Sequence, residues 1–217
     1  MLQDASTPLS VSVEHVVLPP GPLPLEACSP FVYFPQDALL RLEQAHPAHD
    51  AVDVAMVGRH ACVGPSELWG APMQAVVLVP GHACRLDWSQ VKQDVNLYGP
   101  WLWRATAVTH GLVEQMAQTA FCVRHHNATQ RLASWLLISL AQYGGASLSL
   151  AMHALPMSMR QQAKALQSAL SALQEQQAIE VQDGVVHVID AERLAGVACR
   201  CHTMVKSSVA ERQPLPL

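Results

Sequence analysis

The chain has 217 residues, half of them hydrophobic and 14% charged, a balance that supports a packed core and excludes a disordered polyelectrolyte. Its formal charge of −4 is split unevenly: residues 1–124 carry six Lys/Arg against eleven Asp/Glu, and residues 125–217 carry seven against six. A C-terminal part this close to neutral excludes the strong non-specific duplex affinity of a basic module.

No apolar run approaches bilayer length, and "MLQDASTPLS" lacks the basic and apolar regions of a signal peptide, so a cytoplasmic chain without membrane contact is expected. In that setting the six cysteines are expected as free thiols. Residues 1–27 turn Pro-rich ("VVLPPGPLPLEAC") and read as an irregular lead-in. From residue 31 short apolar strands follow: "FVYF", "AVDVAMV" ending at Gly58, "CVG", "AVVLV" ending at Pro80-Gly81, and "HACRL". Strands this short, punctuated by Gly and Pro, predict a β-roll or barrel.

"DWSQVKQDV" reads as a short helix with Asp87 able to cap it, broken by Gly99-Pro100. The next helix runs from about Trp101 to Arg124. Leu102, Thr109, Met116 and Val123 recur there at intervals of seven, as do Ala105, Leu112 and Thr119. This a/d seam predicts a homodimer, with Leu102, Thr109, Leu112, Met116 and Val123 at its interface. In "HHNATQRLASWLLISLAQYGG", Asn127 and Gln130 resemble a capping box, and Gly144-Gly145 stop the helix. A helix is next expected over "LSLAMHALPMSM", then one over "LPMSMRQQAKALQSALSALQEQQAI" with Leu166, Leu170 and Leu173 on its packed face. In "IEVQDGVVHVID" two strands flank Asp183-Gly184, a hairpin turn pair.

This order resembles the Crp/Fnr family of bacterial transcription regulators. "VYFP", "VAMVGRHACVG" and "VVLVPGHACRL" are similar to the family's β-roll, and "QTAFCVRHHNATQRLASWLL" to the junction of its dimer helix and DNA-binding domain. "ALSALQEQQAI" and "GVVHVIDAERLAGVACRC" are similar to its closing part, so the likeness covers roughly residues 30–204. The resemblance implies an α+β fold: an N-terminal β-roll of the cyclic-nucleotide-binding-like jelly-roll type (1–98), a long dimerisation helix (99–125) and a C-terminal winged helix-turn-helix (126–217).

The departures from the family pattern bear on function. Cyclic-nucleotide-binding members hold phosphate with an Arg and a small hydroxyl residue after a Gly-Glu-Leu turn; here Glu67-Leu68 remain, but Met73, Gln74 and Ala75 occupy the neighbourhood of the basic pair. No cyclic nucleotide is expected. Iron–sulfur members use an N-terminal cysteine cluster, whereas Cys28 stands alone at that end. Cys199, Cys201 and His202 form a C-x-C-H patch, read as solvent-facing, and His125-His126 lie at the hinge; no metal and no cofactor is expected.

The family's base-reading Arg, Glu and Arg fall on Ala163, Lys164 and Ser168, so both arginines are lost. Pro156 falls within the expected first helix of the motif and must end or kink it, Arg160 takes the turn position, and Asp183 at the wing tip would repel a phosphate. The implied function is a non-enzymatic transcriptional regulator contacting double-stranded DNA through Arg160, Gln161, Gln162, Lys164, Gln167 and Ser168. The alternative is a degenerate member acting by protein contact or heterodimerisation. The sequence names no effector.

Overall fold

The computed structural model describes residues 12–23, 30–65, 73–96 and 100–210. Cys28, Glu67, Leu68 and Gly99 lie outside the described residues.

Two antiparallel sheets form the N-terminal half. Strands β1 (Glu14–Leu18), β7 (Gly81–Asp87) and β3 (Phe31–Pro35) make one, in the order β1-β7-β3. Strands β2 (Gly21–Leu23), β6 (Met73–Val79), β4 (Leu39–His46) and β5 (His49–Val57) make the other, in the order β2-β6-β4-β5. The part of the lead-in within 14–23 is therefore paired rather than irregular: β1 lies along β7 and β2 along β6. "CVG" contributes a single bridge, Val63 to Tyr33.

Strand β4 was not expected from the residues. Leu40 and Leu42 point into the N-terminal core, while Leu39 packs into the core of the C-terminal half and Arg41 bonds to it. With both faces covered, "LLRL" shows no regular polar alternation, and a short mostly apolar run is ambiguous between strand and helix.

Helix α1 (Trp88–Asn96) starts where Asp87 accepts the Ser89 N–H at 2.8 Å, the cap its sequence implies. Asp94, buried on α1, accepts the Trp101 N–H at 2.8 Å and so satisfies the start of α2 (Pro100–His125). Along α2, Val108 and Leu112 enter the N-terminal core, and the buried Gln115 side chain bonds both backbone groups of Met56 on β5. The five expected seam residues are split by this packing. Leu112 is 4% exposed and Met116 leans on the same core, so the seven-residue repeat largely reports packing on the chain's own sheets. Thr109 and Val123 are exposed and Leu102 is half-buried.

Helix α3 (Ala128–Tyr143) opens with the expected capping box. Asn127 Oδ1 accepts the Gln130 N–H at 2.9 Å, and Gln130 Oε1 accepts the Asn127 N–H at 3.3 Å. It closes on Gly144 at φ 73°, a left-handed cap that favours glycine. Gly58, after β5, lies so close to α3 that a Cβ there would overlap the Gln142 carbonyl oxygen.

Beyond α3 the chain departs from expectation. Leu148–Ala151 form strand β8, not a helix, and Met152–Ala154 form a single 3₁₀ turn. Pro156 then caps a one-turn helix, α4 (Met157–Arg160), rather than kinking a longer one. Proline lacks the N–H that a helix interior needs, so helix can only restart after it. Helix α5 (Ala163–Glu175) follows, then β9 (Ile179–Gln182), β10 (Val185–Val188), α6 (Ala191–Val197) and α7 (Cys201–Ala210). The order β8-β10-β9 makes a third antiparallel sheet, and β9 and β10 turn at Asp183 and Gly184, both at positive φ as the sequence predicts. Leu132, Leu136, Leu166, Leu170, Leu173, Ile179 and Val186 build its core, which Leu39 and Met56 join from the N-terminal sheets.

Candidate nucleic-acid interface

Helix α5 buries Leu166, Ala169, Leu170 and Leu173 and leaves Lys164, Gln167, Ser168 and Ser171 exposed. Gln161 and Gln162, in the turn before it, are also exposed. Five of the six residues singled out from the sequence therefore share one accessible region. Arg160 is half-buried and donates through Nε to the Leu155 carbonyl at 2.9 Å, which leaves less of it for a ligand. The Asp183-Gly184 tip is exposed.

The start of this region is tied to the β4–β5 hairpin. Asp53 accepts the Met157 N–H at 2.8 Å, Asp50 accepts Gln161 Nε2 at 2.8 Å, and Arg41 donates to the Ala154 carbonyl at 2.8 Å. Arg41 is itself buried and pairs with Asp53 at 2.9 Å and with Glu43. Burial raises the Asp53 carboxyl above its usual range, against the opposing pull of Arg41. Between this hairpin, α2, α3 and α4 lies a mostly apolar cavity of about 750 Å³, with Met116, Arg131, Trp135 and Met157 among its walls. Arg131 is buried, and its Nε has no hydrogen-bond partner.

On β6, Met73, Gln74 and Ala75 are half-buried, exposed and buried in turn, and none carries a cation for a phosphate. Arg85 is on the other sheet, forked onto Glu14 at 2.7 and 2.9 Å. Two nucleophile–histidine contacts, Ser149 Oγ to His187 Nδ1 at 2.8 Å and Cys84 Sγ to His15 Nδ1 at 3.5 Å, join residues directly opposite in antiparallel strands. Sheet register accounts for both, and neither lines the cavity.

The C-x-C-H patch is not solvent-facing: Cys199, Cys201 and His202 are all buried. His202 turns its Nδ1 to the Cys199 carbonyl at 2.6 Å. The two thiols instead meet Cys122 and His126 from the foot of α2. Burial disfavours the Cys199 thiolate, but hydrogen bonds from Ser134 and the Cys201 N–H outweigh it and hold that thiol below its ordinary value. Burial and the neighbouring Cys199 push Cys122 well up and Cys201 up to about 11. Cys122 carried no sequence signal as a site residue, being one apolar-looking position in a long helix. Its separation of 77 positions from Cys199 leaves no spacing motif to read.

No family model matches the chain, and no curated protein sequence does. Solved structures do. FixK2 from Bradyrhizobium japonicum aligns at 14% identity and a TM-score of 0.61, over 87% of this chain and 98% of that one. A CRP-family transcriptional regulator of Thermus thermophilus aligns at 12% identity and 0.62, over 84% and 95%. A Crp/Fnr-family regulator from Eubacterium rectale aligns at 10% identity and 0.58, over 87% and 89%. The chain therefore has the fold of the Crp/Fnr transcriptional regulators, shared at sequence identities that carry fold alone. None of the described helices is long and apolar enough to cross a membrane.

Proposed function

We propose that the chain is a Crp/Fnr-type transcriptional regulator, not an enzyme, that binds double-stranded DNA as a homodimer without a cyclic nucleotide. The observation that carries this reading is α5 itself. It packs one leucine-lined face and offers Lys164, Gln167 and Ser168 on the other, beside a two-strand hairpin whose tip is exposed. In this reading residues 1–98 are the jelly-roll sensor-like domain, 99–125 the dimerisation helix, and 126–217 the winged helix-turn-helix. The reduced first helix, α4, sets α5 for the major groove. Gln161, Gln162 and Gln167 favour adenine, which a glutamine amide pairs at N6 and N7.

The second copy covers the exposed apolar residues of α2: Trp103, Val113, Phe121 and Val123, with Thr109 among them. This face replaces the Leu112–Met116 seam. Val113→Asp with Phe121→Asp should then give monomers by light scattering; a dimer that survives refutes the face.

A genome-wide pull-down with the purified chain, followed by gel shifts on the recovered fragments, tests DNA binding. Enrichment of defined A·T-rich sites is expected, and no enrichment over a mock pull-down overturns it. Calorimetry with cyclic AMP or cyclic GMP should give no heat of binding, and micromolar affinity for either contradicts the missing phosphate cation. The competing reading, protein contact or heterodimerisation without DNA, is favoured by two observations. Asp50 holds Gln161, and α5 carries a single cation, Lys164. It prevails if no duplex binds under any salt condition.

A further inference from the structure

Cys122, in the last turn of α2, and His126, the residue just past its end, stand one turn apart, and the His126 N–H still bonds the Cys122 carbonyl at 3.1 Å. Cys199 and Cys201 flank Arg200 at the start of α7. Three sulfurs and one imidazole nitrogen converge from these two segments, all within 4.8 Å of one another. Cys122 Sγ lies 3.5 Å from Cys199 Sγ, and Cys201 Sγ lies 3.7 Å from His126 Nδ1. A tetrahedron with metal–sulfur bonds of about 2.3 Å has edges of about 3.8 Å, so the quartet is already near the size of a single four-coordinate ion. An iron–sulfur cluster spreads its cysteines over separate irons and needs a wider nest.

The surroundings are those of a ligand set. All three thiols are buried and His126 is half-buried. Ser134 Oγ lies 2.9 Å from Cys199 Sγ and accepts the Cys199 N–H at 3.1 Å, which fixes that sulfur from α3. His202 holds the Cys199 carbonyl from the other side. Such outer contacts orient ligands and raise their affinity.

We infer that Cys122, His126, Cys199 and Cys201 bind one divalent, thiophilic metal ion of the zinc class. The site pins α7 to the foot of α2, at the joint between the dimer helix and the C-terminal helices. Binding replaces the proton on each coordinating thiol with the metal and releases those protons to solvent; nothing is oxidised. The site stands whether or not the chain binds DNA.

The test uses the full chain, reduced and stripped with a chelator, then titrated with zinc or cobalt(II). About one zinc per chain is expected by elemental analysis. Cobalt(II) should give the intense visible bands of a tetrahedral site and a thiolate charge-transfer band in the near-ultraviolet. Zinc should protect Cys122, Cys199 and Cys201 from alkylation, read residue by residue by mass spectrometry. Ser134→Ala should weaken zinc binding about 10–100-fold. Cys201→Ser should weaken it further, and Cys62→Ser, in the N-terminal core, should not. Far-UV circular dichroism checks each fold; should Cys201→Ser fail to fold, alkylation of the wild type decides. Uptake below about a tenth of an equivalent, a six-coordinate cobalt spectrum, or equal alkylation with and without zinc overturns the inference.

Discussion

The outer face of α5 and the thiol quartet at the foot of α2 belong to the same half of the chain and differ in almost every physical respect. The first is exposed, contiguous in sequence and nearly uncharged, with Lys164 its one cation. The second is buried, gathered from residues 77 apart, and crowded with groups that repel one another once ionised. An exposed face can lose its chemistry while its packing survives, because the two are carried by different residues of one helix. A buried cluster cannot, because its ligands are its packing.

The largest effect should come from the packed side of α5. Leu173 is fully buried, so Leu173→Ala should cost about 2–5 kcal/mol of unfolding free energy in denaturant titration. A loss within about 0.5 kcal/mol, the range of an ordinary surface change, would mean α5 is not seated as described. A smaller loss is expected from Asn127→Ala, which removes one half of the α3 capping box and should cost about 1 kcal/mol. Gln167→Ala, on the outer face, should leave stability within about 0.5 kcal/mol and act on DNA binding alone.

A pH-dependent contrast sharpens the role of the hairpin. The folded Asp53 carboxyl sits above its ordinary value of 3.8 because of burial, so the folded chain keeps a proton that the unfolded chain gives up. Stability from this group therefore falls as pH rises from 3.8 through the raised value. Asp53→Asn should lack that fall, so the wild-type curve should drop relative to the variant's over this interval. A wild-type curve that rises relative to Asp53→Asn over the same interval would reverse the assigned cause.

Much of the C-terminal half was legible in the residues. Asn127 with Gln130, Gly144, and Asp183 with Gly184 each carry their own local geometry, and the leucine spacing of α5 fixes its packed face. Strands β4 and β8 were not legible. Strand β8 pairs with β10 across more than thirty residues, and β4, although it forms a hairpin with β5, is covered on both faces and so shows no regular polar alternation. The seven-residue repeat of α2 was legible as a buried stripe but not as to what buries it: Leu112 answers to the chain's own sheets. Of the thiol quartet, Cys199, Cys201 and His126 stand out in the sequence, but Cys122 does not, and proximity made by the fold leaves no spacing that joins them.

Salt dependence of DNA binding tests the account most directly. Fluorescence anisotropy on A·T-rich and G·C-rich duplexes, over a range of salt, should give weak binding that favours A·T-rich sequence. The slope of log affinity against log salt should be no steeper than about −4, or some four phosphates per dimer at about −0.9 each. Lys164→Glu should abolish binding at physiological salt, and Asp183→Arg at the hairpin tip should tighten it on any duplex. Tight wild-type binding with a slope near −10 would contradict the sparse reading face, as would a Lys164→Glu variant that binds as well as wild type.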